Sequence, residues 1–263
     1  MSFNGAIVAT IKDITKYLIA KTCSPRLQHQ IRRFYLARQV ITKRDFHEVE
    51  MEVLGQLIAA GDSVADIGAN VGAYTKQLSS LVANSGRVYA FEPVAANYDI
   101  FQTVIRRARL TNVLPFRIAL GSKPEKREMV VPEMRGFTGY YWAHFAQPGE
   151  AGEKVDVSTL DDLCRQGIIR NLDFIKCDVE GSELEVIQGA VQLIDSQRPA
   201  WLLEVARPTS GEIFELFHGF GYQAFVYEDG LIPTDGYRDK EFSNYFFFHR
   251  ESKVGRRLKL PSA

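Results

Sequence analysis

The feature that most constrains this chain is the alternation of short apolar segments with longer amphipathic ones from about residue 63 onward. The apolar segments have the length of β-strands, and the apolar positions between them recur at helical spacing. This alternation predicts a mainly parallel sheet with helices on both faces. The predicted strands are residues 63–67, 87–91, 113–119, 172–177, 200–205, 222–227 and 244–249. The last two lack a long helix between them, so we expect them to pair antiparallel at one edge.

Two neighbouring strands bring an acidic residue to the same region of the predicted sheet. The first runs through Asp66 into a turn with the sequence DIGANVG, and the second ends in AFEP, with Glu92 before Pro93. Open α/β sheets bind their ligands at the carboxyl ends of the strands. A carboxylate there can accept hydrogen bonds from two adjacent hydroxyls of a ribose, so we predict a nucleoside-containing cofactor.

The glycine spacing in the first turn narrows the choice of cofactor. Gly68 and Gly72 have no Cβ and let the backbone approach a ligand closely, and Asn70 tolerates a left-handed backbone. The turn lacks the G-x-G-x-x-G pattern that binds the pyrophosphate of a dinucleotide. It is better suited to a cofactor with an amino-acid tail and no phosphate, such as S-adenosylmethionine, although a glycine turn in this place also occurs for structural reasons alone.

A third acidic motif, DVEG, follows the strand predicted at residues 172–177. Ser182 and Glu185 form a predicted capping box, so Asp178 and Glu180 are expected near the positive end of a helix. There they can orient the ammonium group of the cofactor, hold a divalent cation or accept a proton from a substrate hydroxyl. The alternative is that one of them only caps the helix.

Five segments of the chain form a recognisable set. They are DIGANVG at 66–72, AFEP at 90–93, NVLPFRIALG at 112–121, STLDDL at 158–163 and FIKCDVEGSE at 174–183. In this order they resemble the FkbM-type S-adenosylmethionine-dependent methyltransferases, and the resemblance covers about residues 50–248.

The resemblance implies a class I methyltransferase fold, which is a Rossmann-like α/β architecture. Its mainly parallel seven-stranded sheet has helices on both faces and an antiparallel last strand. Members of the family typically methylate hydroxyl oxygens of sugars or polyketide natural products. The residues implied to surround the methionine part are Asp66, Gly68, Asn70 and Gly72. Glu92, followed by Pro93, would bind the ribose hydroxyls, and Ala119 and Leu120 would flank the adenine.

Asp178 and Glu180 are the predicted catalytic bases, because a hydroxyl is a poor nucleophile while it keeps its proton. Glu204, at the end of the following strand, is a further candidate, with an ion pair to Arg207 as the alternative. His144 is a reserve base, and its alternative is a surface histidine on a loop. We assign no metal site, although a divalent cation held by Asp178, Glu180 and Glu204 stays an option.

We predict one methyltransferase domain at residues 46–250, whose first helix covers residues 46–60. A helical extension precedes it at residues 1–45, and a basic, solvated and flexible tail follows at residues 251–263. Residues 123–153 lack a sustained period and are expected to form a loop or hairpin insertion. The aromatic residues of this insertion are Phe137, Tyr140, Tyr141, Trp142 and Phe145. They form either a lid over the methyl acceptor or a small core under the loop.

Composition limits the class of partner. Lys and Arg number 32, as do Asp and Glu, so no overall field favours nucleic acid or an acidic membrane surface. The 3 cysteines are widely spaced, which argues against a disulfide framework or a four-ligand zinc site and fits a reducing cytoplasm. The apolar stretch near the N-terminus is too short and too charged for a membrane span. We therefore expect a cytoplasmic protein with no membrane span.

We predict an S-adenosylmethionine-dependent methyltransferase that modifies a hydroxyl of a small molecule or glycan. One alternative is a nucleic-acid methyltransferase on the same fold, which the balanced charge and the lack of an N-P-P-Y motif or a Pro-Cys pair disfavour. Another alternative is a non-catalytic cofactor-binding or scaffold protein.

Overall fold

The structure, a computed structural model, describes residues 22–42, 48–134, 137–138, 143–238 and 243–260. Within these ranges the strands are β1 (Ser63–Ile67), β2 (Arg87–Phe91), β3 (Val113–Phe116), β4 (Ala119–Leu120), β5 (Glu125–Val130), β6 (Glu133–Met134), β7 (Phe137–Thr138), β8 (His144–Phe145), β9 (Glu153–Ser158), β10 (Phe174–Cys177), β11 (Ala200–Glu204), β12 (Tyr222–Tyr227), β13 (Leu231–Thr234) and β14 (Asn244–His249). The helices are α1 (Pro25–Thr42), α2 (Leu54–Leu57), α3 (Ala73–Val82), α4 (Ala95–Ala108), α5 (Leu160–Arg165), α6 (Glu183–Gln188), α7 (Val191–Gln197), α8 (Arg207–Gly219) and α9 (Lys253–Arg257), with a 3₁₀ helix at Val49–Glu52.

The main sheet has the strand order β13-β12-β14-β11-β10-β1-β2-β3. β1 pairs in parallel with β2 and β10, and the parallel region extends to β3 and β11. β14 lies antiparallel between β11 and β12. The predicted class I sheet with its antiparallel last strand is thereby confirmed. β14 lies inside the sheet, not at its edge as the strand spacing predicts, and the extra strand β13 adds to β12.

The central strands are buried on both sides because helices cover both faces of the sheet. In β1, Val64 packs into one apolar cluster with Leu78 of α3, whereas Ala65 and Ile67 pack into the opposite cluster with Ile187 of α6. Strands buried in this way are nearly continuous apolar runs. Polar side chains of the central strands are therefore expected where a strand ends, which is where the ligand sites of open α/β sheets lie.

Much of the predicted insertion folds into a second sheet with the order β4-β9-β5-β8. β5 pairs antiparallel with β9 and β8, and β4 pairs in parallel with β9. The strand predicted at residues 113–119 is therefore divided between the two sheets, with β3 in the first and Ala119 of β4 in the second. The second sheet thus begins at the carboxyl end of β3.

Several local predictions are wrong. The helix predicted at 46–60 is a 3₁₀ turn followed by the single turn α2, and Val49, expected inside, is 57% exposed. The side chain of Ser182 makes no capping hydrogen bond to α6. The spacing of Thr209 and Glu212 predicts a capping box at the start of the next helix, but α8 begins at Arg207, so Thr209 lies within it and its hydroxyl donates to the carbonyl of Ala206. Ser182 is nevertheless the N-cap residue of α6, so the predicted start of that helix is right and only its capping hydrogen bond is absent.

The C-terminal segment differs from the solvated tail that the sequence predicts. α9 is capped by Ser252, whose hydroxyl accepts a hydrogen bond from the N–H of Gly255 at 2.8 Å. Val254 is fully buried, and the Arg257 guanidinium forms a two-fold contact with Asp62 at 2.6 and 2.8 Å. This ion pair and the apolar contact hold α9 against the main domain.

α1 occupies residues 25–42 of the predicted N-terminal extension, and residues 1–21 and 43–47 lie outside the described ranges. Pro25 is the first residue of this helix, a position where its missing N–H has no helical partner to lose. Among the helices described, none has both the length and the apolar character that a membrane crossing requires.

Candidate active site

The carboxyl ends of β2, β1 and β10 lie side by side and bring the three acidic motifs together. Ile67 pairs with Phe91 of β2 and with Cys177 of β10. Glu92 and Asp178 therefore follow on either side of the turn after β1. Because neighbouring strands lie about 4.8 Å apart, the Cα atoms of these two acids are about 10 Å from each other.

The turn after β1 needs glycine because protein atoms occupy the space beside it. Gly68 has a φ of +79°, and a Cβ there would lie 1.8 Å from the carbonyl oxygen of Asp178. Gly72 has a φ of +91°, and its Cβ would lie 2.6 Å from the ring of Phe101. The missing Cβ atoms permit close approach to Asp178 and Phe101, a requirement that the sequence alone does not show.

Two buried oxygen atoms at this turn lack a donor. The hydroxyl of Thr75 donates to Oδ2 of Asp66, but Oδ1 of Asp66 has no hydrogen-bond partner among the described residues. Oδ1 of Asn70 is likewise buried without a partner in the part of the chain that the structure describes. Burial raises the pKa of Asp66, and the ammonium of Lys176 opposes that rise. Unpaired buried acceptors are uncommon, and they fit a ligand that brings N–H or O–H donors.

Glu92 is held by backbone donors on both of its oxygens. Oε2 accepts from the N–H of Asn70 at 2.9 Å, and Oε1 accepts from the N–H of Val94 at 3.0 Å. A carboxylate has about four acceptor positions, so both oxygens keep capacity for ligand hydroxyls. Burial raises the pKa of Glu92 to about 7, although the backbone hydrogen bonds oppose it. A ligand that donates to this carboxylate would favour its ionised form.

Lys176 is a site residue that the motif search misses. Its side chain is buried, its Nζ lies 3.1 Å from Oδ2 of Asp178, and it lies 5.0 Å from the ring centroid of Tyr74. Burial alone would lower its pKa, but the charges of Asp178 and Asp66 raise it. Burial opposes the ionisation of Asp178 as well, yet the Lys176 ammonium and a hydrogen bond from Glu204 hold the pKa of Asp178 below its usual range. Asp178 is therefore charged at neutral pH.

Three carboxyl groups meet behind the cleft. Oxygens of Asp178, Glu183 and Glu204 all lie within 4.8 Å of one another. Burial and the charge of Asp178 raise the pKa of Glu204 to about 8, and its proton is donated to Asp178. The group has the oxygen donors that a divalent cation would need. Its third member is Glu183, in place of the Glu180 that the sequence leaves open as an option. Oε1 of Glu183 also accepts two backbone N–H groups of the preceding loop at 2.9 and 3.2 Å.

Glu180 faces the cleft from an unfavourable backbone position. It has a φ of +55°, and Gly181 beside it has a φ of +97°. A non-glycine residue in this region is uncommon, and the conformation costs roughly 1–3 kcal/mol. Partial removal from water, together with the charges of Asp178 and Glu183, raises the pKa of Glu180 to about 7. Glu180, whose pKa is close to neutral pH, therefore lies near Asp178, which is charged at that pH.

These residues border a cleft of about 420 Å³. The predicted site residues that line it are Gly68, Asn70, Glu92, Pro93, Ala119, Leu120, Asp178 and Glu180. Those that do not line it are Asp66, Gly72, Glu204 and His144. Asp66 lies buried below the turn, and Glu204 lies behind Asp178.

The second sheet supplies one wall of the cleft. Met129 of β5, Phe145 of β8 and the neighbouring Ala143 line it. Met129 and Phe145 are register partners, and both pack with Val94 and Ala119. Val94 follows the Glu92 motif and Ala119 begins β4, so this wall lies on the side of the cleft that the resemblance assigns to the nucleoside.

Phe145 is supported from outside the cleft. The Arg127 guanidinium lies 3.6 Å from its ring centroid and 2.6 Å from a carboxylate oxygen of Glu185 on α6. His144 points to Glu150, with 3.5 Å between Nε2 and Oε2. The side chains of Phe137, Tyr140, Tyr141 and Trp142 lie outside what the structure describes, so the predicted aromatic lid is described here only at Phe145.

The model of the methyltransferase FkbM domain matches residues 66–224, which is more than half of the chain. The match starts in β1 and ends in β12, and it includes all the residues that line the cleft from Ile67 onward. A comparison of the sequence with curated proteins finds no significant match.

Among solved structures, one with a TM-score of 0.50 shares the fold, and two others are similar at lower scores. Methyltransferase FkbM from Methylobacillus flagellatus KT has a TM-score of 0.50 and 18% identity, and the alignment covers 85% of this chain and 60% of that one. The O-methyltransferase from Bacillus cereus, solved with SAH, has a TM-score of 0.47 and 14% identity over 89% and 96% of the two chains. A SAM-dependent O-methyltransferase from Thermotoga maritima has a TM-score of 0.47 and 11% identity, and the alignment covers 81% of this chain and 69% of that one.

Proposed function

The chain belongs to the FkbM methyltransferase family, and on that premise we propose that it transfers a methyl group from S-adenosylmethionine to a hydroxyl of a sugar, glycan or natural-product small molecule. The observation that carries the proposal is the excess of acceptor oxygens at one cleft. Asn70, which lines the cleft, presents an unpaired buried oxygen among the described residues, and Glu92 keeps acceptor capacity on a carboxylate already fixed by backbone N–H groups.

Each chemical group of S-adenosylmethionine has a suitable partner among these residues. The ammonium and ribose hydroxyls of S-adenosylmethionine are donors, and they would meet Asn70 and Glu92, which line the cleft, whereas Asp66 lies buried below the turn. The adenine is flat and apolar on its faces, and Ala119 and Leu120 are buried apolar residues on the same side as Glu92. Asp178 would face the positive charge of the amino-acid part. A carboxylate kept ionised by Lys176 suits that place.

The chain's own residues have two tasks in the reaction. When bound, S-adenosylmethionine supplies a methyl carbon made electrophilic by the adjoining positively charged sulfur. The protein must align the acceptor oxygen with that carbon, and such positioning supplies a large part of the acceleration. It must also take up the hydroxyl proton. Glu180 is suited to this task because its pKa of about 7 lies close to neutral pH, where a general base works best.

Asp178 and Glu204 would act beside Glu180. Asp178 lines the cleft and is held charged by Lys176, so it can orient the acceptor or the cofactor without changing its own protonation. Glu204 keeps a proton on the far side of Asp178 and fixes the direction of that carboxylate. A divalent cation in place of this proton is the alternative use of the same oxygens. Activity that persists in the presence of a chelator would exclude the cation.

The cytoplasm is the proposed location, supported by three free cysteines, Cys23, Cys164 and Cys177.

The test is methyl transfer from labelled S-adenosylmethionine to fractionated small metabolites and glycans. We expect label in a hydroxyl compound and its loss in the Glu180→Gln variant, with S-adenosylhomocysteine binding retained. Label that disappears after nuclease treatment of the extract would instead identify a nucleic-acid substrate. Cofactor binding without transfer to any fraction would identify a non-catalytic protein.

A further inference from the structure

α1 turns charged side chains toward the domain. Nε2 of His29 lies 2.7 Å from Oδ2 of Asp99 on α4, and the guanidinium of Arg33 lies 3.3 Å from the same oxygen. Arg32 donates to Oδ1 of Asn97 at 3.0 Å. A surface helix usually places its apolar stripe inward and its charges outward. α1 places much of its charge inward.

The opposite side of α1 is apolar and open to water. Leu27, Ile31, Phe34 and Tyr35 are 49%, 37%, 46% and 52% exposed. Their spacing places them on one side of the helix, and we call them the α1 face. They make up 4 of the 8 large apolar side chains that are exposed in the described residues. A contiguous apolar surface of this kind marks a site of interaction.

Arginines lie next to the α1 face, and more of them are exposed on the neighbouring helix. α1 contains no Asp or Glu, and Arg38 lies on its outward side. A groove of about 380 Å³ next to Phe34 is lined by Arg38 and Arg107, and the Arg107 guanidinium lies 4.9 Å from the ring centroid of Phe34. Arg106 and Arg109 are exposed at the end of α4. The whole chain has a formal charge of zero, so this positive charge is a local concentration.

We propose that the α1 face binds the surface of an anionic membrane, with its apolar side chains at the acyl boundary and the surrounding arginines on the lipid headgroups. Apolar residues on one side of a helix and basic residues around them are the combination that holds a helix in the plane of a membrane interface. Each arginine near an anionic leaflet contributes about 1 kcal/mol, or roughly a fivefold gain in affinity. The inference does not depend on methyl transfer.

Charge and shape favour lipid over the other anionic partner, nucleic acid. Leu27 and Ile31 are aliphatic and offer no flat surface on which a base can stack, whereas stacking on aromatic rings is what single-stranded nucleic acid uses. Insertion among acyl chains uses aliphatic and aromatic side chains alike. All four residues of the face then have a role.

The test is co-sedimentation of the full chain with vesicles of phosphatidylcholine alone or of phosphatidylcholine mixed with phosphatidylglycerol. Two double variants probe the face, Phe34→Ser with Tyr35→Ser and Arg38→Gln with Arg107→Gln. The control for the apolar pair is Ile168→Ser with Val191→Ser, because these residues are 39% and 40% exposed away from α1. The control for the arginine pair is Lys123→Gln with Lys126→Gln, because these side chains are 70% and 82% exposed. Thermal unfolding verifies that each variant is folded.

We expect binding to the anionic vesicles only, a decrease with added salt because exposed charges are screened, and a loss in both face variants but in neither control. Removal of two arginines should lower the affinity roughly 25-fold. No binding to anionic vesicles, or equal losses in the controls, would overturn the proposal. So would a face variant that changes the oligomeric state or RNA binding of the full chain and leaves vesicle binding intact.

Discussion

Replacing Glu92 with Gln tests the cofactor site most directly, because the shape of the side chain is kept while its charge and one acceptor oxygen are lost. In the wild type both oxygens accept backbone N–H groups and keep capacity for two ribose hydroxyls. The amide group of Gln can accept on only one side, so at least one hydroxyl loses a charged acceptor. A hydrogen bond to a charged group contributes about 1.5–3 kcal/mol, so the affinity for S-adenosylhomocysteine should fall roughly 10- to 150-fold.

The pH dependence gives an independent readout of the same residue. The pKa of Glu92 is raised to about 7 in the folded protein, and in the proposed complex the ribose hydroxyls would donate to its ionised form. Wild-type affinity should therefore rise as the pH increases through 7, and this rise should be absent in Glu92→Gln. The sign for stability is the opposite. Between the ordinary pKa of Glu and about 7 the folded protein holds more protons than the unfolded chain, so the Glu92 contribution to stability falls with rising pH.

Isothermal calorimetry with S-adenosylhomocysteine, at pH values on both sides of 7, measures these effects. Glu153→Gln is the matched control, because Glu153 accepts from the N–H of Ala95 at 3.2 Å near the same helix start but does not line the cleft. The control should bind like the wild type. If Glu92→Gln binds as tightly as the wild type with the same pH dependence, Glu92 does not hold the ribose. Loss of cooperative unfolding in Glu92→Gln but not in the control would assign the defect to folding.

Three further changes test the surrounding site. Glu180→Gln should abolish the rise in kcat that we expect near pH 7 while cofactor affinity is unchanged, and a variant with the wild-type pH–rate profile would remove Glu180 as the base. Gly68→Ala should lower the free energy of unfolding by more than Gly181→Ala. Both glycines have a positive φ, which costs a residue with a Cβ about 1–2 kcal/mol, but only Ala at position 68 would press its Cβ against the carbonyl oxygen of Asp178. Equal losses of unfolding free energy in urea denaturation would contradict this prediction. Phe145→Leu should weaken S-adenosylhomocysteine binding roughly 5- to 150-fold if the ring lies on the adenine, and an unchanged affinity with a raised KM for the acceptor would place the ring on the acceptor side.

The sequence was most informative where a segment is apolar and short. β1, β2, β12 and β14 have the bounds that the pattern predicts, because a buried strand shows its limits in consecutive apolar residues. The three acidic motifs could also be placed, since each follows such a strand and parallel strands end at the same edge of a sheet.

Side chains that act through distant partners were not predictable. Lys176 lies in the apolar segment of β10, and its importance depends on Asp66, Tyr74 and Asp178, which only the folded chain brings within contact. Glu183 is the first residue of α6, and it accepts backbone N–H groups of the preceding loop and joins Asp178 and Glu204. A single sequence contains no signal for such a choice between neighbouring glutamates.

Contacts between residues far apart in the chain also determine the structure of segments whose local sequence pattern is weak. The insertion has no sustained period, and its strands exist because β5 and β9 pair with each other and with the end of β4. The C-terminal segment has a basic composition typical of a solvated end, yet Arg257 finds Asp62, 195 residues away along the chain.

By itself, therefore, the sequence determined the class of fold and which strand ends carry the acidic motifs. Periodicity and strand-end carboxylates are local properties, and the rules of parallel sheets convert them into a place in space. Only the tertiary structure decided which charges meet there. It also decided that glycine at the turn is needed for contact with Asp178, and that the charged side of α1 faces inward. Electrostatic and steric contacts depend on distances of a few ångströms between residues far apart in the chain, and these distances exist only after folding.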